Sequence, residues 1–382
     1  MLAGGFLAYA SANVVVPLAR ELRGLFGLTG ADAAVFLLPF AAGFALGIPL
    51  WFAVGRRWPN GLIMVLSLIG SALAGLAFIL AQDATAAVVA RVALGLAVSG
   101  YPPAAQAFVA DRAPVDRRGR ALAGFVAAVV AGSFGGQALA GALGDVLGVR
   151  PTLALVGVAA PALLALVLWL ALRVERRELS GAPHPDDGHA DVRAMARAQA
   201  PVLVVAALAF GGYWLLLSEL PATLRSSRFD LSVAAAGLVP LLGMAGIVGA
   251  TIAGHLVDRW GQRLPMVLVL AGGTVAILGT IASGSVLVAF VVSYGVFLAA
   301  YWSYLPPASA EVAARTRNGP ERQAGLMLFY AAMWIGASVT PLLVPLLHSW
   351  DSVALVTAGA WAVAALVAAR SFSNRPHAAR VS

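Results

Sequence analysis

The chain alternates long runs of uncharged, apolar residues with short polar connections. Twelve such runs are found, near 2–18, 32–54, 61–81, 85–110, 120–144, 150–172, 201–222, 233–257, 264–283, 285–312, 323–347 and 351–371. A helix needs roughly twenty apolar residues to cross the hydrocarbon of a bilayer, and most of the runs reach that length. Apolar residues are continuous within each run rather than alternating with polar ones, so the pattern predicts helices and not barrel strands. The first run has neither a basic leader nor a small-residue cleavage site, and it is read as the first helix rather than as a removable signal. The expected fold is therefore an all-α polytopic membrane protein with 12 transmembrane helices.

Composition adds to this picture. Of the 382 residues 61% are hydrophobic and only 11% charged, with a mean hydropathy of +0.89, which is more apolar surface than one water-soluble core could hide. There is no cysteine, which excludes disulfides. Every cationic side chain except histidine is arginine; the absence of lysine removes a Walker-type phosphate loop, and with it ATP-driven chemistry in this chain. No paired carboxylates, metal-ligand cluster or Ser/His arrangement occurs at matching depth, so an enzyme is not expected and no cofactor or metal is implied. The formal charge of +8 does not point to nucleic acid, because the arginines cluster in the short connections. Arg56, Arg57, Arg112, Arg117, Arg118 and Arg120 fall on one side of the predicted spans, with most later arginines, while the other side holds only Arg20, Arg23, Arg150, Arg225 and Arg228. The positive-inside rule then puts both termini in the cytoplasm. The abundance of alanine and arginine suits a GC-rich bacterium, and so the bacterial inner membrane.

One polar stretch, residues 173–200, is rich in Arg, Pro and Gly and reads as a cytoplasmic linker between a six-helix bundle over 1–172 and a second over 201–382. His184, Asp186, Asp187, His189 and Asp191 within it read as solvated linker residues rather than metal ligands. The two halves repeat each other. The prolines of Tyr101–Ala104 (YPPA) match those of Leu305–Ala308 (LPPA), Arg118 matches Arg322, Phe125 matches Phe329 and Gly132 matches Gly336, all at an offset of 204 residues. Pro102–Pro103 and Pro306–Pro307 are expected to bend helices four and ten at equivalent positions, and Gly132, Gly136 and Gly141 to let helix five pack closely.

Several motifs carry a family resemblance. Gly254, Asp258, Arg259, Gly261 and Arg263 form G-x-x-x-D-R-x-G-x-R, which resembles the signature that major facilitator superfamily transporters carry between helices two and three, with a weaker copy between helices eight and nine. In this sequence the weighting is inverted: the first copy, around Arg56, has Gly55 in place of the aspartate and Trp58 in place of the second glycine. Arg91-Val-Ala-Leu-Gly95 is similar to the R-x-x-x-G of helix four in proton-coupled members. The passage Ala110–Leu147 is similar to helices four and five of twelve-helix drug and sugar efflux permeases, with Gln137 where their antiporter motif has proline. The resemblance implies two pseudo-symmetric six-helix bundles, alternating access, and a cavity lined by helices one, four, seven and ten.

On that basis the candidate residues fall into three groups. Arg91 is expected about 9 Å inside the membrane, at 1.5 Å per residue from the start of helix four, where an uncompensated charge is costly. Glu219 in helix seven is expected at comparable depth and is the candidate partner, a carboxylate whose protonation responds to which face of the cavity is wet. The alternatives for the two are snorkelling to the interface and a place at the aqueous edge before Pro221. The second group is the gating motif: Gly254, Asp258, Arg259, Gly261 and Arg263 with Arg56, Arg118, Arg315, Arg317 and Arg322, in which Asp258 is expected to meet Arg315 or Arg317 at helix ends. The third group, lining the substrate cavity, is Tyr9, Asn13, Gln106, Tyr213, Trp214, Tyr294, Tyr301, Trp302 and Tyr304, aromatic rings with polar tips that suit amphipathic substrates. The expected function is proton-coupled efflux of a small organic molecule by a monomer in contact with membrane lipids and protons. Uptake of a sugar or organic anion by symport or facilitated diffusion, and a non-transporting membrane sensor or scaffold, remain alternatives.

Overall fold

A computed structural model describes residues 2–29, 33–55, 58–112, 118–174, 192–316 and 319–372. Among the described residues the chain is helical, with α1 (Leu2–Asn13), α2 (Ala19–Leu25), α3 (Ala34–Gly55), α4 (Asn60–Leu80), α5 (Ala84–Val98), α6 (Tyr101–Arg112), α7 (Arg118–Leu147), α8 (Val149–Leu153) and α9 (Ala160–Val174) in the first part. They are followed by α10 (Val192–Leu224), α11 (Val233–Leu238), α12 (Ala245–Trp260), α13 (Arg263–Ala282), α14 (Leu287–Ser303), α15 (Leu305–Ala314), α16 (Gly319–Val339), α17 (Val344–Leu347) and α18 (Trp350–Ser371). Eleven stretches among the described residues are long and apolar enough to cross a membrane. The twelfth expected span, 2–18, is the exception: α1 has 12 residues, about 18 Å of helix, and the chain turns before continuing into α2.

The proline pairs act where the sequence places them. Span four breaks into α5 and α6 immediately before Pro102–Pro103, and span ten breaks into α14 and α15 immediately before Pro306–Pro307. Asp83 opens α5 as its N-cap, its Oδ1 accepting from the Ala86 amide at 2.8 Å. Helix α10 begins at Val192, inside the stretch expected to be linker, because Met195–Gln199 are good helix formers that extend span seven backwards.

The chain forms two compact units, one of Met1–Pro185 with Leu231–Leu241 and the other of Asp186–Asp230 with Leu242–Ser382. In the first, α1 packs on α7, α3 on α5 and α4 on α9. In the second, α10 packs on α16, α12 on α14 and α13 on α18, which is the same set of pairings one repeat later. Matched glycines serve matched contacts. A side chain on Gly132 would strike the Phe6 carbonyl of α1, and one on Gly336 the Ala207 carbonyl of α10. The segment Leu231–Leu241 joins the first unit by laying α11 against α7, where the backbones of Gly141 and Gly237 meet. There the Asp145 carboxylate accepts from the Ala234 amide at 3.0 Å and Ser232 caps the same helix start through Ala235. Large apolar side chains such as Leu73, Val89, Leu163, Val248, Val275 and Val288 are exposed on the helices, the surface that a bilayer and not water would cover.

Candidate functional site

In the first unit the site is organised by Arg91, a residue of α5 that is only 1% exposed. Its Nε donates to the Phe36 carbonyl at 2.8 Å and its Nη2 to the Ala12 carbonyl at 2.9 Å. The Ala12 acceptor is a product of helix irregularity. The Val16 amide, which would satisfy Ala12 if α1 continued, donates instead to Asn13 at 3.0 Å, so the break leaves the Ala12 carbonyl for the guanidinium. Phe36 lies in the first turn of α3, and its carbonyl accepts the second bond from the guanidinium. The guanidinium also lies over aromatic faces, 4.9 Å from the Phe40 ring centroid and 6.0 Å from that of Phe78. Arg91 is thus held inside by carbonyl dipoles and ring quadrupoles of its own unit and does not snorkel. Four residues on, Gly95 allows the approach, since a side chain there would strike the Phe40 carbonyl. Asn13, at the end of α1, is buried and donates its amide back to the Tyr9 carbonyl at 2.9 Å, while Tyr9 is half-buried.

In the second unit, aromatic side chains converge. Tyr213 of α10 stacks on Tyr301 of α14 with centroids 4.0 Å apart and planes at 21°. Trp214 meets Trp334 of α16 edge-on at 5.1 Å, and Phe210 bridges Trp214, Tyr301 and Trp334. Trp302 and Tyr304 border Tyr301. Tyr294 lies one cluster away, against Phe290, Phe297 and Trp350. All six expected cavity aromatics of this unit are buried. Among the described residues, the hydroxyls of Tyr294 and Tyr304 are buried without a hydrogen-bond partner. Such groups cost about 1–3 kcal/mol each in a folded protein and call for a reason. The sequence reading missed Trp334, whose signal was available: it sits in span eleven, two residues before Gly336, the glycine the repeat had marked. Glu219 is half-buried in α10, two residues before Pro221.

The motif glycines separate by role. Gly261 ends α12 with φ 78° and ψ −177°, a backbone open in practice only to glycine, and donates its amide to Val257 at 2.9 Å. Gly254 is within α12, and a side chain there would meet nothing within 4 Å. Arg259 is exposed at the end of α12 and Arg263, half-buried, opens α13. Arg315 has partners the sequence reading did not name. Its Nε donates to Glu311 Oε1 at 2.7 Å, Nη1 to the Ala198 carbonyl of α10 at 2.8 Å and Nη2 to the Ser371 carbonyl at the end of α18 at 2.6 Å. Glu311 is 2% exposed. One arginine thus ties the ends of α15 and α18 to α10, and the i, i+4 spacing of Glu311 and Arg315 was the readable signal. Arg56 and Arg317 lie outside the described residues, and the side chains of Gln106, Arg118, Asp258 and Arg322 lie outside the described side chains.

Two helical units with repeated pairings and apolar exteriors define a polytopic membrane protein. The Major Facilitator Superfamily family model matches residues 1–319, and the chain belongs to that family, which consists of transporters and not enzymes. It is 30% identical over 259 residues to a probable transporter of Streptomyces coelicolor, covering 66% of this chain and 58% of that one. It is 30% identical to a chloramphenicol resistance protein of Streptomyces lividans over 70% of this chain and 66% of the relative. It is 25% identical to the multidrug resistance protein MdtG of Serratia proteamaculans over 70% of this chain and 67% of the relative. The matches thus span between over half and about two thirds of these curated relatives. Among solved structures, a bacterial homologue of the human lysosomal transporter Spinster superposes with a TM-score of 0.73 at 18% identity, over 97% of this chain and 96% of that one. A D-xylose–proton symporter does so with a TM-score of 0.71 at 17% identity, over 98% and 96%. These two likenesses establish the fold.

Proposed function

We propose that this transporter exports a small, drug-like organic molecule from the bacterial cytoplasm across the inner membrane in exchange for protons, as a monomer with both termini in the cytoplasm. The observation that carries the substrate class is the buried aromatic cluster of the second unit with the two unpartnered phenols of Tyr294 and Tyr304. Flat apolar faces beside unused hydroxyls suit an amphipathic molecule that stacks and offers one or two polar atoms. Drug-resistance relatives support the export direction. Within this reading Arg91 and Glu219 are the coupling residues. Arg91 keeps the break at the end of α1 in one geometry, and Glu219 takes up and releases the proton. Tyr9, Asn13, Gln106, Tyr213, Trp214, Tyr301 and Trp302 line the substrate path. The motif Gly254, Asp258, Arg259, Gly261 and Arg263, with Arg56, Arg118, Arg315, Arg317 and Arg322, controls access at the cytoplasmic helix ends.

Purified protein in proteoliposomes tests the reading. A pH gradient should drive accumulation of chloramphenicol or of a lipophilic cation on the side opposite the cytoplasmic face, and collapse of the gradient should abolish it. Transport of one sugar in the gradient's direction, with none of the drug-like probes moved, would overturn it.

A further inference from the structure

An apolar groove lies on the outside of the first unit, between α4 and α9. These helices meet closely at Gly75 and Gly157, where a side chain on Gly75 would strike the Gly157 carbonyl, at a π-helical stretch (Ala154–Ala159) that precedes α9. About a turn from this crossing a groove of about 390 Å³ opens, lined by Val65, Ile69, Leu73, Ala162, Leu166 and Trp169 among others, all apolar. On α9 the lining residues Ala162, Leu166 and Trp169 recur at helical spacing, and four residues beyond Trp169 the same face carries Arg173. The Arg173 guanidinium lies 3.8 Å from the Trp169 ring centroid, stacked at the end of the groove with its donors exposed.

We propose that this groove is a site for an anionic phospholipid, one acyl chain lying along it and the headgroup phosphate on Arg173. The dimensions agree. From Ala162 to Trp169 the helix rises about 10 Å, and from Ala162 to Arg173 about 16 Å, close to the hydrocarbon depth of one leaflet, half of about 30 Å. The chain therefore lies in the groove when the phosphate is level with the arginine. Charge complementarity selects the headgroup. Arg173 is a planar, pre-stacked fork that donates two bonds to a phosphate, and Trp169 occupies the depth at which indole rings favour the interface. With both termini cytoplasmic, Arg173 faces the cytoplasmic leaflet, but the site does not depend on that orientation or on the direction of transport.

Native mass spectrometry of the intact protein in neutral detergent, titrated with phosphatidylglycerol or phosphatidylcholine, tests the proposal. The wild type should retain phosphatidylglycerol about fivefold more tightly than phosphatidylcholine, the factor equivalent to the ~1 kcal/mol of one arginine beside an anionic surface. Arg173→Gln should erase the preference, and Arg173→Lys should keep part of it. Ala162→Phe, which fills the exposed groove without touching the core, should weaken both lipids. An unchanged preference in Arg173→Gln, or no preference in the wild type, would overturn the headgroup assignment. Full retention by Ala162→Phe would overturn the groove. A dimer released on adding either lipid would show that a second copy, not lipid, occupies the face, and would overturn the proposal as well.

Discussion

The guanidinium of Arg91 donates to the carbonyl of Ala12, 79 residues earlier in the chain, at 2.9 Å, and so fixes α5 to the point where the first helix breaks. A buried cation is satisfied by a carbonyl that a continuous helix would have used itself. Each defect stabilises the other, because the break supplies an acceptor and the arginine fills it.

Removing the donor while keeping bulk should therefore leave the buried Ala12 carbonyl unsatisfied, at about 1–3 kcal/mol. Arg91→Met should lower the thermal unfolding midpoint of the purified protein by more than Arg91→Lys, whose single ammonium can reach one carbonyl but not fork between two. An Arg91→Met protein as stable as wild type would mean that the two bonds contribute nothing net.

The fold was legible in the sequence because a bilayer demands long apolar windows and the repeat marks its own equivalent positions. The breaks before Pro102 and Pro306 and the close contacts of Gly132 and Gly336 follow from residues visible in one dimension. What could not be read was where a polar side chain ends. Depth along α5 placed Arg91 inside the membrane, but only the structure shows that backbone carbonyls receive it, since a carbonyl freed by a break leaves no trace in composition. Arg315 was assigned to a gate as an expected partner of Asp258, and its bonds to Ala198 and Ser371 depend on tertiary packing across more than 50 residues. Glu311 was overlooked because a lone acid near a span's end resembles an interfacial charge.

Glu311 and Arg315 form a part-buried pair that also holds the backbone carbonyls of Ala198 and Ser371, so it should behave as a coupled unit. Glu311→Gln and Arg315→Gln should each destabilise the protein, and the double variant should cost less than their sum by about 1–2 kcal/mol. Additive effects in a double-mutant cycle of thermal or denaturant unfolding would show that the carboxylate and guanidinium act independently.

Glu219→Gln removes the proposed proton carrier while preserving size and hydrogen bonding. Downhill counterflow of substrate should continue, and acceleration by a pH gradient should disappear, which separates coupling from binding. Gradient-driven transport that keeps its pH dependence in this variant would assign the proton to another group.

At the contact of α11 with α7, Asp145 and the Gly141–Gly237 crossing should contribute unequally. Asp145 is exposed, so Asp145→Ala should cost no more than about 1 kcal/mol, as for a surface helix cap. A side chain at Gly237 would meet the Gln137 carbonyl at 2.9 Å, backbone that has little room to retreat. Gly237→Val should therefore displace α11 from α7 and lower the thermal unfolding midpoint by more than Asp145→Ala does. Equal midpoints for the two variants would show that the crossing tolerates a larger residue.

The unpartnered phenols give the sharpest distinction between architecture and function. If Tyr294 and Tyr304 served packing alone, their hydroxyls would be a cost without return, and Tyr294→Phe or Tyr304→Phe would leave the empty protein as stable as wild type or more so, by up to about 1 kcal/mol each. If the hydroxyls also meet substrate, the same variants should bind a polar-tipped probe such as chloramphenicol several-fold more weakly while retaining purely apolar cations. The informative pattern is the opposed pair of effects, a thermal midpoint that holds or rises with an affinity that falls. A fall in both would mean that the hydroxyls have structural partners, and no change in affinity would move the substrate away from this cluster.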